Sequence, residues 1–182
     1  MAEIECVRQI GNRFGESLVW SASEAALYWV DVTAPAIHRL HALGPLWVRT
    51  RRGASACFIS ALGPNLRFND GKCDRAGRFW SGTMDDVDFV PVATGGTYWC
   101  VLMRGGQIAQ YDPAGRLMRT IKLPVKYPLM CTFGGADMET LYVTTSRALV
   151  SESEAAEQQL AGALFAIHGT GSRGIPEPLY VG

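Results

Sequence analysis

An all-β fold built from repeated units is predicted by two features of this 182-residue sequence. First, a short aromatic strand led by polar or glycine-rich turn residues recurs four times, at 21–32, 74–84, 95–103 and 136–146. Turn residues followed by β-branched and aromatic residues are typical of strands. Second, no window of about a dozen residues has a convincing helical period. Together these features favour a sandwich or a propeller.

Paired strands complete the predicted repeating unit. A second predicted strand follows three of the aromatic strands, at 36–40, 106–112 and 162–168. The turn sequence Asp-Pro-Ala-Gly-Arg then follows one such pair, with the proline and glycine that turns favour. The segment 151–162 is rich in Glu, Ala and Gln. That composition favours either a short helix or a polar insertion loop between two strands.

The spacing of the aromatic anchors predicts that the chain is internally shortened. Trp29, Trp80, Trp99 and Tyr142 are separated by 51, 19 and 43 residues. A four-stranded propeller blade takes about 40–50 residues, so the first and third intervals fit a blade and the second does not. We therefore expect a single domain, 1–182, with about four blades' worth of strands or an incomplete ring.

Composition excludes several classes of partner. The 17 basic and 17 acidic residues balance, so no overall field attracts nucleic acid or a membrane surface. We expect a cytoplasmic protein, because no segment resembles a secretory signal or a membrane span. The five cysteines are scattered without a C-x-x-C pair, which favours reduced thiols. Of these, Cys100 and Cys131 lie in apolar surroundings and are predicted to belong to the core.

Three motifs are interpreted as structural. The sequence Gly-Thr-Gly-Ser-Arg-Gly at 169–174 matches a dinucleotide-binding pattern. Only eight residues follow it, with two prolines, so no helix can receive a phosphate and a surface loop is expected. The three histidines have no acidic or cysteine partner at ligand spacing, which favours structural or solvent-facing roles. The arginines at 49, 51 and 52 are interpreted as solvated positions at a strand edge.

Two segments remain as candidates for chemistry. Glu16 lies between a glycine and an apolar strand, and taken alone it is interpreted as an exposed loop charge. The other segment sets Arg67, Asn69 and Asp70 within four positions, before a glycine. Taken alone it is interpreted as a structural turn, because Asn and Asp often hold turns by bonding their own backbone.

Five segments together resemble the senescence-marker-protein/gluconolactonase/luciferin-regenerating-enzyme (regucalcin-like) family. They occur in the family's order, at 15–40, 67–84, 111–125, 130–147 and 162–178. The most specific are Arg-Phe-Asn-Asp-Gly-Lys at 67–72 and the Gly-Arg-Phe-Trp run that starts at residue 77. The resemblance implies a six-bladed β-propeller with a divalent metal, calcium or zinc, on its axis, and hydrolysis of sugar lactones.

The resemblance also implies roles for individual residues. Glu16 corresponds to the first metal ligand, and Arg67 and Asn69 correspond to the substrate-contacting pair. An arginine fork and an asparagine amide suit sugar hydroxyls and lactone oxygens. Asp70 is interpreted as orienting that loop. No role is assigned to Asp85 or Asp86, since an ungapped count of the family's acidic position falls on Val87.

Two segments of the family pattern are missing between Met84 and Tyr98. They carry the asparagine and aspartate that complete the family's metal site, and the aspartate is also the family's general base. We therefore expect weak metal binding and impaired lactone hydrolysis, with no catalytic residue assigned. The alternative is a non-catalytic propeller remnant that binds a sugar or lactone. Self-association through open sheet edges is a further expectation.

Overall fold

The fold is that of a computed structural model. The structure describes residues 2–31, 33, 36–41, 46–50, 68–73, 79–83, 96–114 and 116–176. At 36–37, 46–50, 68–73 and 79–83 it describes the backbone alone. The described strands, in chain order, are β1 (Glu3–Arg8), β2 (Gly15–Ser21), β3 (Ala26–Asp31), β4 (Ala36–His41), β5 (Leu46–Thr50), β6 (Phe68–Cys73), β7 (Phe79–Thr83), β8 (Tyr98–Leu102), β9 (Gln107–Tyr111), β10 (Leu117–Lys122), β11 (Pro128–Gly134), β12 (Thr140–Thr145) and β13 (Leu164–His168). A 3-10 turn lies at Met103–Gly105.

The strands form four antiparallel sheets. Their orders are β2-β3-β4-β5, β6-β7, β10-β9-β8 and β1-β13-β12-β11. The predicted all-β architecture with about four blades' worth of strands is therefore confirmed. The segment 151–162 forms turns rather than a helix, which decides between the two alternatives left by its composition. In the part of the chain that the structure describes, no helix has the length and apolar character needed to cross a membrane.

The two ends of the described chain meet in one sheet. β1 pairs antiparallel with β13, from Glu3 opposite His168 to Arg8 opposite Leu164. β12 and β11 continue this sheet inward, and every residue of β11 is buried. We call these four strands the closing sheet, because β1 supplies its outer strand from the other end of the chain.

The strands β2 and β11 run side by side in the same direction. The backbone N–H of Ser17 in β2 donates to the thioether sulfur of Met130 in β11, at 2.9 Å. Further along both strands, a Cβ atom on Gly134 would lie 2.7 Å from the indole ring of Trp20. Because the contacts advance together along both strands, β2 and β11 are the inner strands of adjacent blades.

Strand β8 runs in the opposite direction to β11. It is parallel to β10, since both pair antiparallel with β9. The short link from β10 to β11 starts beside the end of β8, where the backbone N–H of Leu123 donates to the carbonyl oxygen of Gly106 at 2.8 Å. β8 therefore occupies the second-strand position of a blade, and no described strand fills the inner position. The predicted shortening just before Tyr98 would produce this arrangement.

Aromatic contacts tie three of the sheets into one core. Trp20 of β2 stacks with Tyr142 of β12, at a ring-centroid distance of 6.0 Å. Trp99 of β8 meets Phe133 of β11 edge to face, at 5.8 Å. Offset and edge-to-face pairs are favourable arrangements of aromatic rings. Of the four aromatic anchors that the sequence singled out, Trp99 and Tyr142 thus lie at contacts between sheets.

Candidate functional site at the inner strands

Glu16 lies in inner strand β2, opposite Val30 of β3. The pairing register shifts between Glu16 and Val19, and Ser17 between them has a φ of +55°. Such an irregularity is a β-bulge, which re-aims nearby side chains. Glu16 is half-buried. The loop charge expected from the residues alone is therefore a strand residue at a bulge.

The start of β2 is anchored to the closing sheet. The hydroxyl of Thr144 donates to the carbonyl oxygen of Gly15 at 2.6 Å, and the hydroxyl of Ser146 donates to that of Arg13 at 2.6 Å. A Cβ atom on Gly15 would lie 3.0 Å from Cβ of Thr144, so glycine permits this close approach. Nothing in the local sequence indicates these bonds, because their partners are far apart along the chain.

The loop before Glu16 is held by a carboxylate. Asp31 accepts hydrogen bonds from the backbone N–H groups of Arg13 at 2.7 Å and of Phe14 at 3.2 Å. Asn12 is 2% exposed and accepts a bond from the indole N–H of Trp29 at 3.3 Å. These bonds give Asp31 and Asn12 a positioning role, since they fix the backbone that leads to Glu16.

Met130 is the residue of β11 that meets the bulge. Its sulfur accepts the Ser17 N–H, and the side chain is 4% exposed. A thioether is a weak acceptor and is not among the oxygen ligands that calcium takes. At this contact the neighbouring inner strand presents a thioether side chain.

The substrate-contacting pair predicted from the resemblance is only partly described. Arg67 lies outside the described residues. Asn69 is the second residue of β6, just as Glu16 is the second residue of β2. The register of β6 also shifts, between Phe68 and Gly71. The backbone thus places Asn69 and Glu16 at equivalent positions, each at a bulge near the start of the first strand of its sheet.

The side chains near Glu16 determine whether the described residues could hold a metal ion. Within the described ranges, no group of three or more His, Cys, Asp or Glu side chains could hold a metal ion. Calcium takes six to eight oxygen ligands. The described residues around Glu16 therefore do not by themselves fit calcium. The side chains of candidate residues 67, 70, 85 and 86 lie outside the described part of the chain.

Two of the histidines, His38 and His168, and the buried cysteines occupy core or surface positions. His38 is 5% exposed and stacks on Trp29 at 4.8 Å, and burial lowers its pKa. Nε2 of His168 lies 3.6 Å from a carboxylate oxygen of Glu5 at the exposed edge of the closing sheet. Cys100 and Cys131 are core residues, as predicted. Burial raises the pKa of the Cys100 thiol to about 11, so it is not a nucleophile at neutral pH.

Comparison with known families decides the classification. The family model described as "SMP-30/Gluconolactonase/LRE-like region" matches residues 43–91 and 87–147, which together exceed half of the chain. The chain belongs to this family. The resemblance inferred from the five sequence segments is thereby confirmed.

Curated relatives match along almost the whole chain. The chain is similar to 6-deoxy-6-sulfogluconolactonase of Pseudomonas putida, at 25% identity with 98% of this chain and 99% of the relative covered. It is also similar to regucalcin of Danio rerio, at 24% identity with 99% of each covered. The first alignment runs over 288 positions against 182 residues here, so roughly a hundred positions have no counterpart in this chain. Because 98% of this chain and 99% of the relative are covered, the unmatched positions lie within the alignment.

Solved structures agree on the fold. A calcium-binding protein, regucalcin, from Agrobacterium tumefaciens superposes with a TM-score of 0.75 at 16% identity, with 96% of each chain covered. A luciferin-regenerating enzyme gives a TM-score of 0.70 at 16% identity, with 97% of this chain and 98% of that chain covered. At these identities the likeness establishes a regucalcin-like propeller fold.

Proposed function

We propose that this chain is a sugar-lactone hydrolase family member with impaired catalysis, which retains weak recognition of a sugar lactone. Family membership and the similarity to a sulfogluconolactonase support the substrate class. The observation that carries the proposal is the local environment of Glu16. Glu16 follows the anchored backbone of Gly15 at the start of an inner strand, but the adjacent inner strand meets its bulge with Met130.

Glu16 is proposed as the remaining metal ligand, and Arg67 and Asn69 as the substrate contacts. The equivalent placement of Glu16 and Asn69 at strand-start bulges supports their assignment to one site. An arginine fork and an asparagine amide can hold hydroxyl and lactone oxygens without a metal. Binding that treats ground state and transition state alike does not accelerate the reaction, however.

Hydrolysis of gluconolactone tests the proposal directly. The purified chain is assayed with excess calcium, zinc or manganese and compared with enzyme-free buffer. We expect a rate near that of buffer and unchanged by Glu16→Gln. Glu139→Gln, at an exposed position in the loop before β12, is the matched control. Robust metal-dependent turnover that Glu16→Gln abolishes and Glu139→Gln preserves would contradict the proposal.

Calcium affinity is expected to be low. A site with one assigned carboxylate should bind no more tightly than the roughly 10⁻⁴–10⁻³ M of weak calcium sites. Titration calorimetry measures this constant. Micromolar binding would show that another carboxylate, such as Asp70 or Asp86, completes the site.

A non-catalytic binding module is the alternative function. It predicts lactone binding without turnover, which Arg67→Ala should weaken.

The chain is further proposed to act as a single domain, 1–182, in the cytoplasm. Self-association through sheet edges is supported by β10, where Leu117 is 56% and Met118 is 55% exposed. Light scattering of the purified chain distinguishes a monomer from such an assembly.

A further inference from the structure

A cavity of about 390 Å³ opens where β11 begins. Its described lining comes from three loops: Met103 and Arg104 follow β8, Lys126 and Tyr127 precede β11, and Leu149 follows β12. We call these five residues the cationic pocket. They include none of the residues assigned to lactone recognition. The volume lies within the range of small-molecule sites.

The walls of the cationic pocket are fixed by backbone contacts. The N–H of Ser146 donates to the carbonyl oxygen of Tyr127 at 2.9 Å. Gly106, just after Arg104, has a φ of +60°, and a Cβ atom there would lie 2.8 Å from the carbonyl oxygen of Val125. The backbones that carry the lining residues therefore pack closely. A preformed site loses less free energy to ordering when a ligand binds.

The two cations of the pocket differ in their neighbours. The ammonium of Lys126 pairs with the carboxylate of Glu154 and lies 5.2 Å from the ring centroid of Tyr127. The hydrogen bond to Lys126 is the main reason why the pKa of Glu154 falls to about 2, so this carboxylate is ionised at neutral pH. Glu154 therefore largely compensates Lys126.

Arg104 supplies the charge that remains. Its side chain is exposed, and no hydrogen bond or ion pair to it is found among the described residues. A guanidinium presents a planar fork of donors that matches a carboxylate in two parallel hydrogen bonds. The pocket thus combines one available cation with the half-buried apolar side chains of Met103 and Leu149 and the ring of Tyr127.

We propose that the cationic pocket binds a small organic acid with an apolar body, its carboxylate held by Arg104. The ring of Tyr127 and the thioether of Met103 provide the contacts that an apolar or aromatic body favours. A sugar acid of the same charge lacks that body and is expected to bind less well. Its lining includes none of the residues assigned to lactone hydrolysis.

Benzoate is the probe that tests the proposal. Binding is followed by the backbone amide signals of Lys126 and Tyr127 in NMR spectra, with gluconate, inorganic phosphate and benzyl alcohol as comparison ligands. We expect benzoate to shift these signals with a dissociation constant on the order of 1 mM. Gluconate and phosphate lack the apolar body and benzyl alcohol lacks the charge, so each should bind more weakly.

Variants identify the residues responsible. Arg104→Gln should weaken benzoate binding about tenfold, the usual size of a lost charged hydrogen bond. Glu154→Gln should tighten it, since the compensating carboxylate is removed. Arg8→Gln, at an exposed position of β1, is the control and should bind as the unchanged chain does. Circular dichroism checks that each variant is folded.

Three results would overturn the proposal. The first is the absence of amide shifts with benzoate. The second is equal affinity for benzoate and gluconate, which shows attraction of anions without a site for the apolar body. The third is an Arg104→Gln variant that binds as well as the unchanged chain.

Discussion

The closing sheet and the neighbouring sheet β8–β10 differ in completeness. The closing sheet has four strands, and its inner strand β11 is buried along its whole length. The sheet β8–β10 has three described strands, with β8 in the second-strand position. Both sheets contribute to one aromatic core, through Trp99 and Phe133. The contacts that join the chain ends are complete, whereas the inner strand next to β8 is not supplied by any described residue.

The closing sheet both completes the described core and anchors the start of β2, where Glu16 lies. Among the described residues, β1, β2 and the closing sheet bury a continuous core, and these strands lie outside the segment before Tyr98. By the family resemblance, the asparagine and aspartate that complete the family's metal site belong to that segment, between Met84 and Tyr98.

The largest expected effect is on the closing sheet. Phe165 of β13 is 1% exposed within the core. Phe165→Ala should lower the free energy of unfolding by about 3–5 kcal/mol, because it removes buried apolar surface and leaves a cavity. Urea denaturation measures this loss.

The control for Phe165→Ala lies on the outer strand of the neighbouring sheet. Leu117 of β10 is 56% exposed, so Leu117→Ala should change the free energy of unfolding by no more than about 0.5 kcal/mol. A loss below about 1 kcal/mol for Phe165→Ala would mean that the closing sheet does not carry the core.

The sequence predicts the individual strands more completely than it predicts which strands pair with each other. Strand β12 was predicted from local evidence alone, turn residues followed by Leu141 and Tyr142. The pairing of β1 with β13 was not, because the polar pattern of β1 carries no local signal and its partner lies at the other end of the chain. Local propensity thus predicts elements, while closure depends on contacts between distant residues.

The same limit applies to the candidate site. Glu16 was singled out only through the family resemblance, since a glutamate after a glycine has no meaning by itself. Its anchoring by Thr144 and the neighbouring thioether of Met130 come from distant strands. Arg104 and Lys126 were not singled out at all, because no motif relates them before folding brings their loops together.

A substitution of intermediate effect tests the contact between the closing sheet and β2. A Cβ atom on Gly134 would lie 2.7 Å from the Trp20 ring, which is itself buried and stacked on Tyr142. Gly134→Ala should therefore cost about 1–3 kcal/mol of stability through overpacking. Thermal unfolding followed by tryptophan fluorescence measures the cost and reports on Trp20.

Gly105 provides the matched control in the neighbouring sheet. A Cβ atom there would meet its nearest neighbour, Cβ of Leu102, at 3.5 Å, an ordinary contact. Gly105→Ala should change stability by no more than about 0.5 kcal/mol. Equal losses for the two alanine variants would remove the distinction between a tight contact at β2 and a looser one after β8.

The smallest expected effect concerns the ion pair that joins the link before β11 to the turn segment 151–162. The pKa of Glu154 is lowered to about 2, chiefly by its hydrogen bond to Lys126 and further by bonds from Ser151. In an unfolded chain a glutamate titrates near 4.3, so the folded state favours the ionised carboxylate. Its contribution to stability is therefore present above about pH 4.3 and is lost as the pH falls to about 2. Because the pair is partly solvent-exposed and screened by water, the contribution is small.

Titration of Glu154 measures this effect without requiring a large change in stability. In carboxyl-detected NMR spectra, the Glu154 signal should titrate with a midpoint near pH 2. The difference in urea midpoint between the unchanged chain and Glu154→Gln should be constant near neutral pH and should shrink below about pH 4. A Glu154 midpoint at its ordinary value would show that Lys126 is not held by this carboxylate. Lys126 would then be a second available cation in the pocket, and the preference for Arg104 would lose its electrostatic basis.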